Sequence, residues 1–256
     1  MVRSLFSNRR LKAGGLHLLA SIALAGLVSA LVFGVWYPSP YAAVAGGASL
    51  FFLLVSVDVV MGPALTAVVA SPGKPVAEFR RDFALIVALQ LAALGYGLYT
   101  MALAGPVYMA FEVDRMHVVV AADIEPAALA EAPPALRSLP WFGPRIIAAV
   151  KPADPAEQLK SIDLGLAGVD LAMVPRNWRD YASQAPAAWN AAKPMARLLA
   201  RYPALGSEVQ ALAAAQGQPV QALRYLPLVS RQASWVTVVA GPDARVVGHL
   251  PVDGFF

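Results

Sequence analysis

The sequence predicts a membrane protein, with three N-terminal transmembrane α-helices followed by an α+β extramembrane domain. Three observations predict it. Of the 256 residues, 58% are hydrophobic and only 14% charged, against about 25% charged in soluble domains. The apolar excess gathers in three long runs within the first 105 residues. The net charge of +4 sits there too: seven Lys/Arg face three Asp/Glu, while residues 106–256 carry thirteen of each. A basic nucleic-acid face is thereby excluded, because the surplus flanks apolar spans.

The first run, Leu16–Tyr37, has no charged residue and is long enough to cross a hydrocarbon core. Ala43-Val44-Ala45 has the small-x-small pattern of a signal-peptidase site. The run is longer than a signal h-region, however, and a second span follows at once, so a retained signal-anchor is expected. Tyr41–Ala70 forms the second span and Phe83–Val107 the third apolar run. Trp36-Tyr37-Pro38-Ser39-Pro40-Tyr41 between the first two reads as a turn whose aromatics belong at the membrane–water boundary.

Arg3, Arg9, Arg10 and Lys12 precede the first span; Lys74, Arg80 and Arg81 lie between the second and third. The first turn has no basic residue, and Arg115 is the first after the third span. The positive-inside rule places residues 1–15 in the cytoplasm, spans at about 16–37, 41–70 and 83–105, and residues 106–256 outside, in a bacterium the periplasm.

Asp58 is the one charge inside the spans. A carboxylate near the bilayer centre costs about 2.5–3.5 kcal/mol on insertion scales, which makes it a functional candidate by default. At 1.5 Å per residue it lies about 18–20 Å from Ala70, and Tyr96 lies about 20 Å from Phe83. Equal depth predicts an Asp58–Tyr96 contact, with Gln90 shallower, near Thr66. Gly62-Pro63 follows one turn later, and Pro63 leaves the Val59 carbonyl without its helical donor. A structural contact beside a kink and a docking point for another helix both fit; one isolated acid makes no proton relay. Gly26, Ala30 and Gly34 on span one, and Ala93 and Gly97 on span three, recur at the small-xxx-small spacing of close helix packing. Packing inside the bundle is the expected use.

In the second half, Tyr108–Glu112 and Met116–Val120 read as a hairpin around Val113-Asp114-Arg115. Arg145–Val150 is a further β-rich run. Asp154-Pro155-Ala156-Glu157 is a helix start, with a capping Asp, Pro at the first position and an acid three residues after the cap. Val169–Val174 reads as a strand, Ser183–Arg201 as a helix interrupted by Pro186 and Pro194, and Ser207–Gln216 as a helix stopped by Gly217. Trp235–Ala240 and Arg245–Leu250 form a closing hairpin around Gly241-Pro242-Asp243-Ala244. Strands first and last with helices between are an α+β pattern.

Catalytic signatures are missing from the chain. With no cysteine there are no disulfides, thiolate metal sites or Cys nucleophiles. His117 and His249 are too few for a His-based metal site and read as ordinary histidines. The sequence holds no G-x-S-x-G elbow, P-loop or G-x-G-x-x-G turn after a strand. No enzyme activity, cofactor or metal is therefore expected. Trp141, Trp178, Trp189 and Trp235 with Tyr181, Tyr202 and Tyr225 supply large aromatics, mostly for the core. Trp178-Arg179-Asp180-Tyr181 mixes the residue types of interface anchors, so Trp178, Arg179 and Tyr181 are the candidate partner contact.

The order of several segments carries a family resemblance. Val35-Trp36-Tyr37-Pro38 closes span one, Val57-Asp58-Val59-Val60-Met61-Gly62-Pro63-Ala64-Leu65-Thr66 lies in span two, and Ala88–Tyr99 in span three. Gly105-Pro106-Val107-Tyr108 and Phe111-Glu112-Val113-Asp114-Arg115 follow. Together these resemble the TfpX/TfpZ family of type IV pilin accessory proteins, densely over 35–115 and more loosely beyond. The resemblance implies a non-enzymatic inner-membrane protein that acts with a cognate pilin and influences its assembly. Three spans with a periplasmic domain add the hypothesis of a chaperone or assembly modulator that contacts the pilin's membrane helix and periplasmic head, with the pilus assembly platform as a further partner. Asp58, Gly62, Pro63, Gln90 and Tyr96 are the candidate membrane groove. Two other classes stay open on the residues alone: a small transporter or channel subunit using Asp58, and a membrane-anchored periplasmic enzyme using His117 or His249.

Overall fold

The computed structural model describes residues 8–232 and 234–256; Arg3, part of the charge argument, lies outside them. The chain divides into two compact units, one of three long helices and one built on a single sheet.

In the first unit, α1 (Asn8–Leu31) continues without a break as a π-helical turn, Val32–Trp36. A short turn of helix, α2 (Tyr41–Val44), leads to α3 (Gly47–Val69), and α4 runs over Val76–Leu103. All three long helices are apolar and long enough to cross a membrane. Most of their side chains face outward, as they do when lipid supplies the solvent. α4 begins at Val76, seven residues before the expected Phe83, because the Lys74–Asp82 ion pair and Glu78 hold a polar first turn in helical form. Tyr37, expected at the boundary, is fully buried: its hydroxyl donates to the Met101 carbonyl (2.8 Å) at the end of α4. Its ring presses on Gly47, where any Cβ would stand 2.3 Å from it. At the opposite end Arg9 donates to the Lys74 carbonyl (3.1 Å) and Arg10 to the Ser71 hydroxyl (2.9 Å). The described basic residues of this unit thus cluster at one end of the bundle.

The second unit carries an eight-stranded mixed sheet. Its strands are β1 (Pro106–Glu112), β2 (Arg115–Val120), β3 (Arg145–Ala149), β4 (Trp178–Asp180), β5 (Lys193–Pro194), β6 (Leu223–Val229), β7 (Trp235–Ala240) and β8 (Arg245–Leu250). The order is β4-β3-β1-β2-β6-β7-β8, with β5 added to β6. β1–β3 and β2–β6 are parallel and the other pairs antiparallel. Between strands lie α5 (Pro155–Leu166), α6 (Tyr181–Ala191), α7 (Met195–Arg201) and α8 (Gly206–Ala215).

Asp154 caps α5 as its sequence demands, accepting from the Ala156 amide at 2.7 Å. Two expectations fail. Val169–Val174 is not a strand; Leu171–Met173 and Pro175–Asn177 are 3₁₀ turns, since Pro175 denies the segment a ladder donor. Ser183–Arg201 is two helices, with Lys193-Pro194 between them drawn into the sheet as β5. Besides β5, two further strands were not foreseen. β4 is only three residues long, and β6 contains Pro227, which ordinarily argues against an interior strand. On the side away from β7, β5 pairs at Arg224–Tyr225 and β2 at Leu228–Val229, so Pro227 falls in the interval where no ladder bond is required.

Among the described residues of the sheet unit, two clusters form the core. One joins Tyr108, Ala110, Val119, Ile147 and Trp178; the other joins Tyr225, Val236 and Val238 to Leu198, Val209 and Ala213 of α7 and α8.

Candidate functional site

In the helical unit α1 and α4 each lie against α3 while their backbones stay apart. A groove of about 500 Å³ opens between them. Its walls are apolar, among them Leu16 and Leu24 of α1 and Phe83, Val87 and Leu91 of α4. Its floor and lower edges are polar: His17, Ser21, Asp58, Thr66 and Gln90 all line it.

The floor is tightly built. Gln90 Nε2 donates to the Asp58 carbonyl (3.1 Å) and to Asp58 Oδ1 (3.3 Å). Gly62 makes this possible, because a Cβ there would stand 2.1 Å from Gln90 Nε2. Pro63 is buried beside it, and its carbonyl lies close beneath Gly14 of α1, where a Cβ would come within 3.2 Å. One turn on, fully buried Thr66 shares a 2.6 Å hydrogen bond with His17 Nδ1. Asp58, Gly62, Pro63 and Gln90 thus come together.

Tyr96 is not bonded to Asp58, whose hydrogen-bond donor is Gln90 instead. Tyr96 is 73% exposed and lines, with Asp58, a second and smaller depression between α3 and α4. The early start of α4 explains the difference: seven extra residues of helix shift the antiparallel depth match by about 10 Å, from Tyr96 toward Gln90. His17 is the groove residue that sequence reasoning passed over. A lone imidazole in an otherwise apolar run was the available signal.

The small-residue faces divide. A Cβ on Gly97 would stand 2.3 Å from a Leu54 methyl, so that face packs within the unit. Gly26 and Gly34 have nothing within 4 Å of their would-be Cβ atoms, so the α1 stripe is not an internal packing face.

In the sheet unit the expected contact trio does not form one surface. Trp178 is fully buried, not in a loop: it packs on Tyr108 with ring centroids 4.8 Å apart, and its Nε1 donates to the Ala172 carbonyl at 2.8 Å. The ring belongs to the buried cluster with Tyr108, Ala110, Val119 and Ile147, so Trp178 is a core residue and presents no face to a partner. Tyr181 opens α6, and its hydroxyl donates to the Ala244 carbonyl (2.6 Å), clamping the turn between β7 and β8. Burial, helped by the charge of Asp243, pushes this phenol up to about 12. Arg179 alone of the three is exposed, on edge strand β4. The most exposed aromatics among the described residues of this unit are instead Trp141 (71%) and Phe142 (78%), in the loop before β3.

These features meet a consistent set of relatives. A family model described as fimbrial assembly protein FimB matches residues 6–46. The fimbrial assembly protein of serogroup I from Dichelobacter nodosus is 33% identical over 245 residues, 95% of each chain. That of serogroup E1 is 33% identical over 246 residues at the same coverage. That of serogroups C1 and C2 is 42% identical over 113 residues, 44% of this chain and 86% of the relative. No solved structure matches the chain. With a relative this similar along nearly its whole length, and with the resemblance to type IV pilin accessory proteins pointing the same way, the chain belongs to the fimbrial assembly protein family.

Proposed function

We propose that the protein serves type IV pilus assembly from the inner membrane by holding the apolar helix of a cognate pilin in the groove between α1 and α4. One observation carries the reading: in the half of the bundle nearer its basic end, α1 and α4 leave open an apolar-walled groove with a hydrogen-bonding floor. Helix association in lipid rests on packing and a few polar contacts, and this groove offers both. The cluster of Arg9, Arg10, Lys12, Lys74, Arg80 and Arg81 at one end supports a cytoplasmic placement of that end. The sheet unit then stands in the periplasm, where Arg179 and the Trp141–Phe142 pair are available to a pilin head. Membership in the fimbrial assembly family supports pilus assembly as the process. No catalytic step is required of the chain, and none of the groove residues is assigned one.

The test is site-specific photocrosslinking in native membranes. Probes at Leu16 and Leu91 face the groove; a control at Phe52, 67% exposed on α3, lies outside the groove's lining. The expected result is pilin captured at Leu16 and Leu91 and not at Phe52. Equal capture at all three would remove the groove, and capture of platform components alone would move the function to regulation of the machine.

A further inference from the structure

The strand pairing of β1 and β2 builds a second polar cluster, in the sheet unit. Ala110 pairs with His117 and Glu112 with Arg115. Residues two apart on a strand share a face, so Glu112 and His117 form a diagonal pair on the same side of the hairpin. Both are more than nine-tenths buried. Asp170 enters from the segment after α5, just before the Leu171–Met173 turn.

That segment is pinned from two sides. Glu112 Oε2 accepts from the Ala172 amide (2.9 Å), and the Ala172 carbonyl accepts from Trp178 Nε1 (2.8 Å). One oxygen of Glu112 is thus structural, and the other, Oε1, faces the imidazole. His117 Nδ1 lies 3.9 Å from Glu112 Oε1 and 3.4 Å from Asp170 Oδ2. Nδ1 is fully buried and makes no hydrogen bond among the described residues. A buried, unpaired imidazole nitrogen aimed between two carboxylates is costly unless something lies between them.

Arg115, the nearest candidate counter-charge on the hairpin, is engaged elsewhere. Its Nε donates to Asp114 (2.8 Å), and its guanidinium lies over the Phe255 ring at 4.8 Å.

We infer that Glu112, His117 and Asp170 bind a divalent transition-metal ion of the Zn²⁺ class. Imidazole and carboxylate ligands about 2.0–2.2 Å from one tetrahedral Zn²⁺ stand about 3.3–3.6 Å apart. The His117–Asp170 separation of 3.4 Å already meets this, and the three ligand atoms lie within 4.8 Å of one another. To reach the same spacing Glu112 Oε1 has to close by about 0.3 Å on His117 and by up to about 1.2 Å on the Asp170 oxygen, a movement that the half-exposed Asp170 side chain can supply. Asp170 is 45% exposed at its side chain and gives the ion a route in, and it leaves a fourth position for water. The ion would tie the 170–173 segment to the β1–β2 hairpin. This inference does not rest on the pilin reading.

The test uses the full-length protein in lipid nanodiscs, stripped with chelator and titrated with Zn²⁺, and with Co²⁺ for its visible absorption. The expected result is one Zn²⁺ per chain with a Kd in the micromolar range or tighter, and a tetrahedral Co²⁺ spectrum that Zn²⁺ displaces. H117Q and D170N should weaken binding at least tenfold. D170N changes a half-exposed side chain, and an unchanged metal-free melting curve shows that it folds. Absence of stoichiometric uptake by the wild-type protein overturns the inference, as does equal uptake by folded D170N; the cluster is then a buried polar contact that joins the hairpin to the 170–173 segment without an ion.

Discussion

The two units solve burial in opposite ways. In the sheet unit every residue of β1 is buried, and the core is closed by Trp178, Tyr225, Met195 and Leu198. In the helical unit α1 buries only Gly14, Ser21 and Val28, and the large apolar side chains Leu16, Leu19 and Leu27 are more than 60% exposed. Water drives the first arrangement, because apolar area removed from it stabilises by roughly 25 cal/mol per Å². Lipid removes that driving force in the second, leaving close packing at Gly14, Gly47, Gly62 and Gly97 and a handful of hydrogen bonds to hold three helices. Such a bundle can leave a face unfilled at little cost, and the groove is that face.

The sharpest way to break this contrast is to open the sheet core. Trp178→Ala removes a fully buried ring and the donor to Ala172, and should cost about 3–5 kcal/mol. Chemical unfolding followed by near-UV circular dichroism measures it. Arg179→Ala, one residue on and exposed, should stay within about 0.5 kcal/mol. Comparable losses for the two would show that the sheet core is not closed as described.

Next in size is His249, which tests the sheet core with a proton. Burial pushes its pKa down to about 4, and its Nδ1 is 3.2 Å from the hydroxyl of fully buried Thr237. The folded state therefore resists the proton that the unfolded chain accepts near pH 6.5. Stability from this group is complete above about pH 6.5 and is lost progressively as pH falls toward 4, by about 3 kcal/mol. Melting temperature should fall as the pH is lowered through that window, and His249→Gln should flatten the slope. A slope unchanged in His249→Gln would assign the acid sensitivity to other groups.

The smallest effects are expected in the membrane. Gln90→Leu leaves Asp58 Oδ1 without its donor and should cost about 0.6–1.7 kcal/mol. Asp58→Asn keeps an acceptor for Gln90 and should cost less than about 0.6 kcal/mol. Thermal unfolding in nanodiscs measures both, and piliation of the same variants separates fold from function. If Asp58→Asn assembles pili at wild-type levels, the charge of Asp58 has no part in the groove's work. If Asp58→Asn folds but loses piliation, the charge is functional rather than structural.

Much of the fold was legible because its signals are local. Three apolar runs, an Asp-Pro-x-Glu helix start and two hairpins with alternating β-rich arms each declare themselves within a dozen residues. β4 and β6 were not legible, because three residues carry too little pattern and Pro227 is harmless only when one knows where β5 and β2 stop pairing. The site was less legible still. Asp58, Gly62 and Pro63 follow from sequence as an odd charge beside a kink, but their partner depends on where α4 begins, and a seven-residue error exchanged Gln90 for Tyr96.

The sequence by itself determined that three helices lie in lipid and that an α+β domain follows, since hydropathy and turn chemistry act over short stretches of chain. Only the tertiary structure decided which polar residues meet. It buried Trp178 and left Trp141 outside, set Gln90 on Asp58, and brought Asp170 to Glu112 and His117 across more than fifty residues of chain. Those pairings depend on helix starts and strand register, where a shift of one or a few residues carries every side chain to a different neighbour.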